Sequence, residues 1–343
     1  MPKLLSDRGP EHQPISWTVR GPDGWTIVRR VATVLALGVL IPPLIIGLAA
    51  LSGLGHRWVD ILAQFPAPAL ILTAIFVVGL AVLRLRLAAG AGAAVILVLA
   101  VALWPQAMAD RGRPKAGAPV LTLYSANLLV TNTNVAAVKA SVEAANPDIV
   151  ILIEAPLVVS EHANDLFPQY PHRLRSPWPG FGAGTSGNMI LSRWPLTPGN
   201  LRAPGLSYAL AKVETPLGPL NVVGVHMTRP WPFQFQWGQL TQAMTLNTLV
   251  KKLDGPVIVA GDFNSVSSAR VGKQIQSDIG LKANPGWPGT WPSAAPAVFG
   301  FTIDQVYRTP DLAVVGRKIG KRTGSDHRPV ITRLTLAEPE QGS

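Results

Sequence analysis

Carboxylate, imidazole and amide side chains recur in this sequence at one kind of place, the end of an apolar run. Asn127 closes residues 120–126, Glu154 closes 149–153, and His226 closes 220–225. Asp262 and Asn264, within Gly261-Asp262-Phe263-Asn264, follow the apolar run 257–260. Asp304 and Asp326-His327 are assigned the same location, so the whole set is expected at the C-terminal ends of strands. One polar residue ending a strand is usually a turn former or a cap. Seven such positions, rich in these functional groups, are more than caps require, and loops on one rim of a rigid sheet core are where sites are built.

The chemistry open to this set is specific. Glu154 and Asp326 supply hard oxygen ligands and Asn127 a neutral one, a donor set suited to Mg2+ or Mn2+. Such an ion would polarise a phosphoryl oxygen. Asp262 is placed to orient or deprotonate an attacking water. Asp304 paired with His327 would fix the imidazole and favour its charged form, and His226 would add a second positive donor. In-line phosphoryl transfer depends on this kind of positioning and charge stabilisation. With no cysteine, disulfides, thiolate metal sites and cysteine nucleophiles are excluded. No Walker-type loop and no serine elbow points to other chemistry.

The elements that must carry these residues read as alternating strands and helices. Strands are expected near 120–127, 149–153, 188–192, 208–214, 220–226 and 256–260, with two more near Ile303 and Val330. Helices are expected after Asn127, where Val135, Val138 and Val142 keep helical spacing, and over 235–253. A hairpin turn is expected at Leu217-Gly218.

The preceding part of the chain differs in kind. Hydrophobic residues make up 48% and charged residues 14% of the sequence, and nearly all long charge-free stretches lie before residue 105. Residues 31–55, 61–83 and 87–104 fit three membrane-spanning helices, each needing about 20 apolar residues. Pro42-Pro43 is expected to kink the first. A cleaved signal peptide does not fit a stretch that starts late and is followed by two more. Lys3, Arg8, Arg20, Arg29 and Arg30 before the first span favour a cytoplasmic tail, 1–26, so three spans within 27–104 put the domain outside the cytoplasm, whereas two would leave it inside. Residues 105–119 read as a linker, 120–336 as the domain and 337–343 as a tail. Residues 1–119 carry 11 basic and 5 acidic side chains, a balance of +6; the remainder carries 19 and 14, a balance of +5, giving +11. The basic residues are scattered, with no dense run interleaved with aromatics.

In order along the chain stand Ser125-Ala-Asn127, Pro147-Asp148-Ile-Val-Ile-Leu-Ile-Glu154, Gly187-Asn188-Met-Ile-Leu-Ser-Arg193, Val225-His226, Gly261-Asp262-Phe-Asn264, Ile303-Asp304 and Ser325-Asp326-His327. Over about 120–336 this ordered set resembles the endonuclease/exonuclease/phosphatase superfamily, the deoxyribonuclease I-like proteins. The resemblance implies an α+β fold, a four-layered αββα sandwich, here preceded by a transmembrane helical region. It implies metal binding by Asn127, Glu154 and Asp326, water activation by Asp262 and phosphate contact by Asn264. His226 and His327 would stabilise the transition state, Asp304 would orient His327, and Asn188 would touch substrate. Gln305 stands where many members have histidine, a change expected to affect packing more than catalysis. The spans, with Gly289-Thr-Trp-Pro292, resemble a bacterial membrane-anchored branch, implying a multi-pass protein of the cell membrane.

The tether favours a lipid or envelope phosphoester as substrate; the basic charge leaves an extracytoplasmic nuclease acting on DNA or RNA as the alternative. A non-catalytic membrane-anchored binding module is the third reading. No obligate protein partner is evident. Aromatic and proline residues crowd two loops, Pro177-Trp178-Pro179-Gly180-Phe181 and Pro230-Trp231-Pro232-Phe233, with Trp237 following. Exposed, they would suit a membrane interface or base stacking.

Overall fold

A computed structural model of the chain describes residues 23–177, 187–230 and 236–339. Trp178, Phe181, Trp231 and Phe233, and nearly all of the tail 1–26, lie outside the described residues.

Four helices open the described chain: α1 Gly24–Ser52, α2 Arg57–Leu62, α3 Pro66–Val82 and α4 Arg86–Ala107. Asp23 caps α1 by accepting from the Thr26 amide at 2.9 Å, so this helix starts ahead of the apolar stretch and takes in Arg29 and Arg30. Pro42 and Pro43 lie inside α1 without ending it. The expected span 61–83 is two elements. Leu62 ends α2, and Pro66 opens α3, since a proline at the first helical position gives up an amide that would have no partner anyway. Helices α1, α3 and α4 pack through small residues and leucines, among them Ala36, Leu40, Ala88 and Leu99. Side chains such as Val34, Ile41, Ile75, Val78 and Leu97 face outward and are more than half exposed. Two of these helices, α1 and α4, are long and apolar enough to cross a membrane; α3 is a shorter apolar helix.

The expected linker is not a free tether. Helix α4 runs on through Pro105, and the following residues are stitched to the domain. Arg111 O accepts from the Val314 amide at 2.7 Å, Lys115 N–H donates to Leu336 O at 2.9 Å, and the Glu338 amide donates to Arg113 O at 2.8 Å.

The domain then folds as β1 Leu121–Asn127, α5 Val135–Ala145, β2 Ile149–Ala155, α6 Leu157–Glu161, α7 Ala163–Leu166, β3 His172–Pro177, β4 Gly187–Ser192, β5 Leu196–Pro198, β6 Ser207–Thr215 and β7 Gly218–His226. After these come α8 Gln236–Val250, β8 Val257–Asp262, α9 Arg270–Ile279, β9 Lys282–Ala283, a 3-10 turn Ala297–Phe299, β10 Asp304–Arg308, β11 Leu312–Ile319 and β12 Val330–Leu336. Two six-stranded sheets result, ordered β11-β12-β1-β2-β4-β3 and β5-β6-β7-β8-β10-β9.

Three apolar layers hold the sheets. Leu123, Ile151, Ile190, Val222, Ile258 and Val306 meet between them. Val138 and Val142 of α5, with Phe167 and Tyr170, cover the outer face of the first sheet. Leu246 of α8 and Ile275 of α9 cover the second. Strands β2 and β8 are buried along their whole length, which is why their sequences are apolar runs without alternation. The result is the expected two-sheet sandwich with helices on both outer faces.

Two details differ from the sequence reading. The hairpin turn falls at Pro216-Leu217, one residue early, with Gly218 opening β7 at φ 96°. Asp304 begins β10, and Asp326-His327 precede β12, so these residues stand at the N-terminal ends of their strands. Both strands run antiparallel to a neighbour, β10 to β8 and β12 to β1, so a strand start meets a strand end on one rim.

Candidate active site

Strand register builds the centre of the site. His226 pairs with Asp262 across β7–β8, and Asp304 pairs with Asp262 across β10–β8, so three functional side chains come from adjacent strands of one sheet. The other sheet supplies Asn127 and Glu154 from the ends of β1 and β2. The backbone at this rim is unusual: Glu154 has φ 50° and Asn264 φ 48°. Left-handed backbone in non-glycine residues costs free energy and concentrates at functional sites. At Glu154 it coincides with a break in the β2–β4 register between Leu152 and Ala155.

Asp262 is the focus. Its side chain is 2% exposed. Oδ2 accepts from Asn127 Nδ2 at 3.0 Å and lies 3.8 Å from the Nε2 atoms of both His226 and His327. Oδ1 accepts from the Asn264 amide at 2.8 Å. Asn127 Nδ2 also donates to Glu154 Oε1 at 3.0 Å, and His226 Nε2 lies 3.3 Å from the same oxygen. On the far side, His327 Nδ1 is 2.9 Å from Asp304 Oδ2, an Asp–His pair that turns Nε2 toward Asp262.

Electrostatics divide these groups. Burial pushes the Asp262 carboxyl above the usual carboxylate range, Asp304 adds to the push, and the two histidines oppose it. Burial pulls His327 down, but Asp304 and Asp262, with the Asp304 hydrogen bond, outweigh it and the imidazole is pushed up to about 10. His327 is therefore an imidazolium at neutral pH.

Among the described residues, two overlapping groups bring ligand atoms within 4.8 Å of one another, Glu154, His226 and Asp262, and Asp262, Asp304 and His327; with His327 charged, the first is the one open to a cation. Carboxylate and imidazole donors, with no thiolate in the chain, fit a hard or borderline divalent ion. Asn127 adjoins the first group, its Nδ2 toward the carboxylates and its Oδ1 accepting from the Leu129 amide at 2.9 Å. Asp326 belongs to neither: Oδ2 accepts from Trp291 Nε1 at 3.0 Å, and Oδ1 lies 4.0 Å from His327 Nε2. Asn188 is fully buried on β4 and donates to Ser207 Oγ at 3.2 Å; Ser207 faces His226 in the β6–β7 pairing.

Several supporting side chains were not singled out in the sequence. Gln239 of α8 donates through Nε2 to Thr228 O at 3.0 Å and Phe263 O at 2.9 Å, tying together the loops that follow His226 and Asp262. Gln242 Oε1 accepts from the Thr228 amide at 2.8 Å. Gln64, between α2 and α3, accepts from the Val266 amide at 2.8 Å and donates to Ser265 Oγ at 3.3 Å. Trp291 sits in Gly289-Thr-Trp-Pro292, a signal that had marked a subgroup and not a role. Gln305 is buried and donates to Ser265 O at 3.3 Å and to Thr302 O, holding the same loop.

A sequence model of the Endonuclease/Exonuclease/phosphatase family matches residues 124–327, a range that contains every strand-end residue of the site. Solved structures share the fold. An endonuclease/exonuclease/phosphatase from Beutenbergia cavernae DSM 12333 is 19% identical with a TM-score of 0.50, covering 64% of this chain and 72% of its own. A family protein from Bacteroides thetaiotaomicron is 16% identical with a TM-score of 0.54, covering 64% and 99%. The human Nocturnin catalytic domain with bound sulfate is 15% identical with a TM-score of 0.50, covering 64% and 94%. No curated protein sequence matches the chain.

Proposed function

The chain belongs to the Endonuclease/Exonuclease/phosphatase family, whose members are usually phosphoester hydrolases, and from that premise we propose that it is a membrane-anchored phosphoester hydrolase dependent on Mg2+ or Mn2+. The carrying observation is the meeting at Asp262 of Glu154, His226, Asp304 and His327 from both sheets. Glu154, Asn127 and Asp262 face the side where a cation fits, and Asp326 borders the cleft beside His327. When bound, the cation offsets negative charge on the phosphoryl group.

The chain's own residues do the rest. Asp262, its carboxyl raised by burial, takes a proton from a water that attacks in line with the phosphorus, and the ester oxygen leaves on the opposite side as the phosphorus–oxygen ester bond breaks. His327 presents an imidazolium Nε2–H to a phosphoryl oxygen, held by Asp304. His226 donates from the other side, and Asn264 positions the phosphate while its amide fixes Asp262. Asn188 holds Ser207, which pairs with His226 across β6–β7, and would act on substrate through that strand pair.

The anchoring reading is supported by the outward apolar faces of α1, α3 and α4. Three passes set the N-terminus and residues 120–336 on opposite sides, and the basic tail supports a cytoplasmic N-terminus with the domain outside, as in the bacterial membrane-anchored branch.

Hydrolysis of bis(p-nitrophenyl) phosphate with Mg2+, by the full chain in detergent, tests the assignment. Glu154→Gln and Asp262→Asn are each expected to lower kcat about 10²–10⁴-fold. Equal turnover in all three proteins, or none in wild type, defeats it. Cleavage of oligonucleotides that falls steeply with salt would instead establish the nuclease reading.

A further inference from the structure

The site does not belong to the domain alone. A cleft of about 220 Å³ opens beside the catalytic cluster, and its lining combines His327, Asp326, Asn264 and Arg229 with Ile61, Phe65, Phe301 and Ile303. Ile61 lies in the last turn of α2, and Phe65 directly precedes α3, so one wall of the cleft is contributed by the junction between two helices of the apolar region. The wall is fixed and continuous with the chemistry. Phe65 packs edge-on against Phe301 with ring centroids 5.0 Å apart, and Phe301 lies 5.9 Å from Trp291. Trp291 Nε1 donates to Asp326 Oδ2 at 3.0 Å, and Asp326 lies 4.0 Å from His327.

Surrounding contacts hold this helix end to the domain. Besides Gln64 on Ser265 and Val266, Arg270 NH1 lies 3.7 Å from Asp60 Oδ2, and Lys273 Nζ donates to Ala50 O at 3.1 Å. The Gly286 amide donates to Gln106 O at 2.8 Å at the end of α4. The ends of α1 and α4 and the start of α3 therefore all face the domain. Trp58 and Trp104, at this same end, are 51% and 61% exposed, which is where tryptophan gathers when helices meet a membrane interface. A cleft at this level joins an apolar wall from the helical region to the charged groups of the catalytic cluster.

We propose that the cleft between Phe65, Ile61, Phe301 and Ile303 receives the hydrocarbon chain of an amphiphilic phosphoester drawn from the bilayer, its phosphate lying at His327 and Asn264. The helical region is then part of the specificity site as well as an anchor. The inference rests on the hydrolase reading above. A nucleic acid could stack a base on Phe65 or Phe301, but its sugars and successive phosphates match poorly a wall that continues into the apolar helices.

The test is a chain-length series. Full-length protein in one fixed detergent is given phosphodiesters with the same p-nitrophenyl leaving group and alkyl chains of two to eight carbons, each below its micelle concentration. In wild type kcat/KM is expected to rise roughly two- to fourfold per methylene until the cleft is filled. Phe65→Ala and Ile61→Asn are expected to flatten that slope at least by half, while Phe65→Leu, which keeps an apolar wall, retains it. Turnover of the shortest ester with no dependence on chain length overturns the inference and leaves the hydrolase reading standing. So does a wild-type slope preserved in both Phe65→Ala and Ile61→Asn, or an oligonucleotide cleaved with higher kcat/KM than every alkyl ester. No turnover of any ester defeats both.

Discussion

Asp262 Oδ2 has an amide hydrogen from Asn127 and two imidazole nitrogens around it, and the carboxyl is almost fully shielded from solvent. A carboxylate there is tolerated because His327 is charged, and His327 is charged because Asp304 and Asp262 face it. This reciprocity has a pH consequence. The folded-state value of His327, about 10, lies above the ordinary 6.5, so its contribution to stability is complete below pH 6.5 and is lost as pH rises toward 10. With divalent metal chelated, the stability difference between wild type and His327→Gln is expected to be largest below pH 6.5 and to shrink toward pH 10. Asp304→Asn is expected to move that window to lower pH. Thermal unfolding across the range checks both, and a difference constant with pH contradicts the charge assignment. Asn127, Glu154, His226 and Asp262 were legible in the sequence because each ends an apolar run, whereas His327 lies in the polar stretch 324–328 and stood out only within the ordered motif set. Asp326 was read as ending a strand but precedes β12, and its hydrogen bond to Trp291 was not legible either, since the two are brought together only by the loops before β10 and β12.

Strand pairing converts that scattered list into a site, and Gly261 shows how little slack the pairing allows. Its φ is 144°, and a Cβ there would stand 2.0 Å from Val225 O on the neighbouring strand. Gly261→Ala is expected to cost roughly 2–4 kcal/mol, from backbone strain plus the displacement of β7 from β8. Because that displacement separates His226 from Asp262, activity should fall in the same variant. Denaturant unfolding with a parallel assay tests the pair of effects, and a stable, active Gly261→Ala would refute the argument. Buried strands such as β2 and β8 were readable for the reason that makes them rigid: nothing polar interrupts them. Strands β3, β5, β9 and β11 were not. His172–Pro177 is an edge strand carrying Arg173 and Arg175, β5 and β9 have three and two residues, and β11 breaks register between Val314 and Gly316. Strands that short, polar or bulged carry too weak an alternation to stand out.

At the scale of the whole chain, the helical region and the domain share an interface. Ala50, Ala63 and Ala102 pack with Val266 and Ala269, and Gln64 and Gln106 cross from one to the other. None of this was visible in a sequence that divides so cleanly by composition, because the contacts use small and amide side chains that mark neither a span nor a core. The full chain is expected to stay with carbonate-washed membranes. Residues 105–343 alone are expected to be released, and to melt at lower temperature than the full chain in detergent, because the loop after Asn264 loses Gln64. A fragment equal in melting temperature and activity would show the interface to be dispensable.

Neither sheet holds a complete site, and strand β1, which ends in Asn127, lies between β2 and the last strand, β12. During synthesis the helices and Glu154 leave the ribosome long before His327 does, and the first sheet cannot close until β12 arrives. The cluster at Asp262 therefore stays incomplete until the last strand is in place, and closing that strand onto β1 completes it.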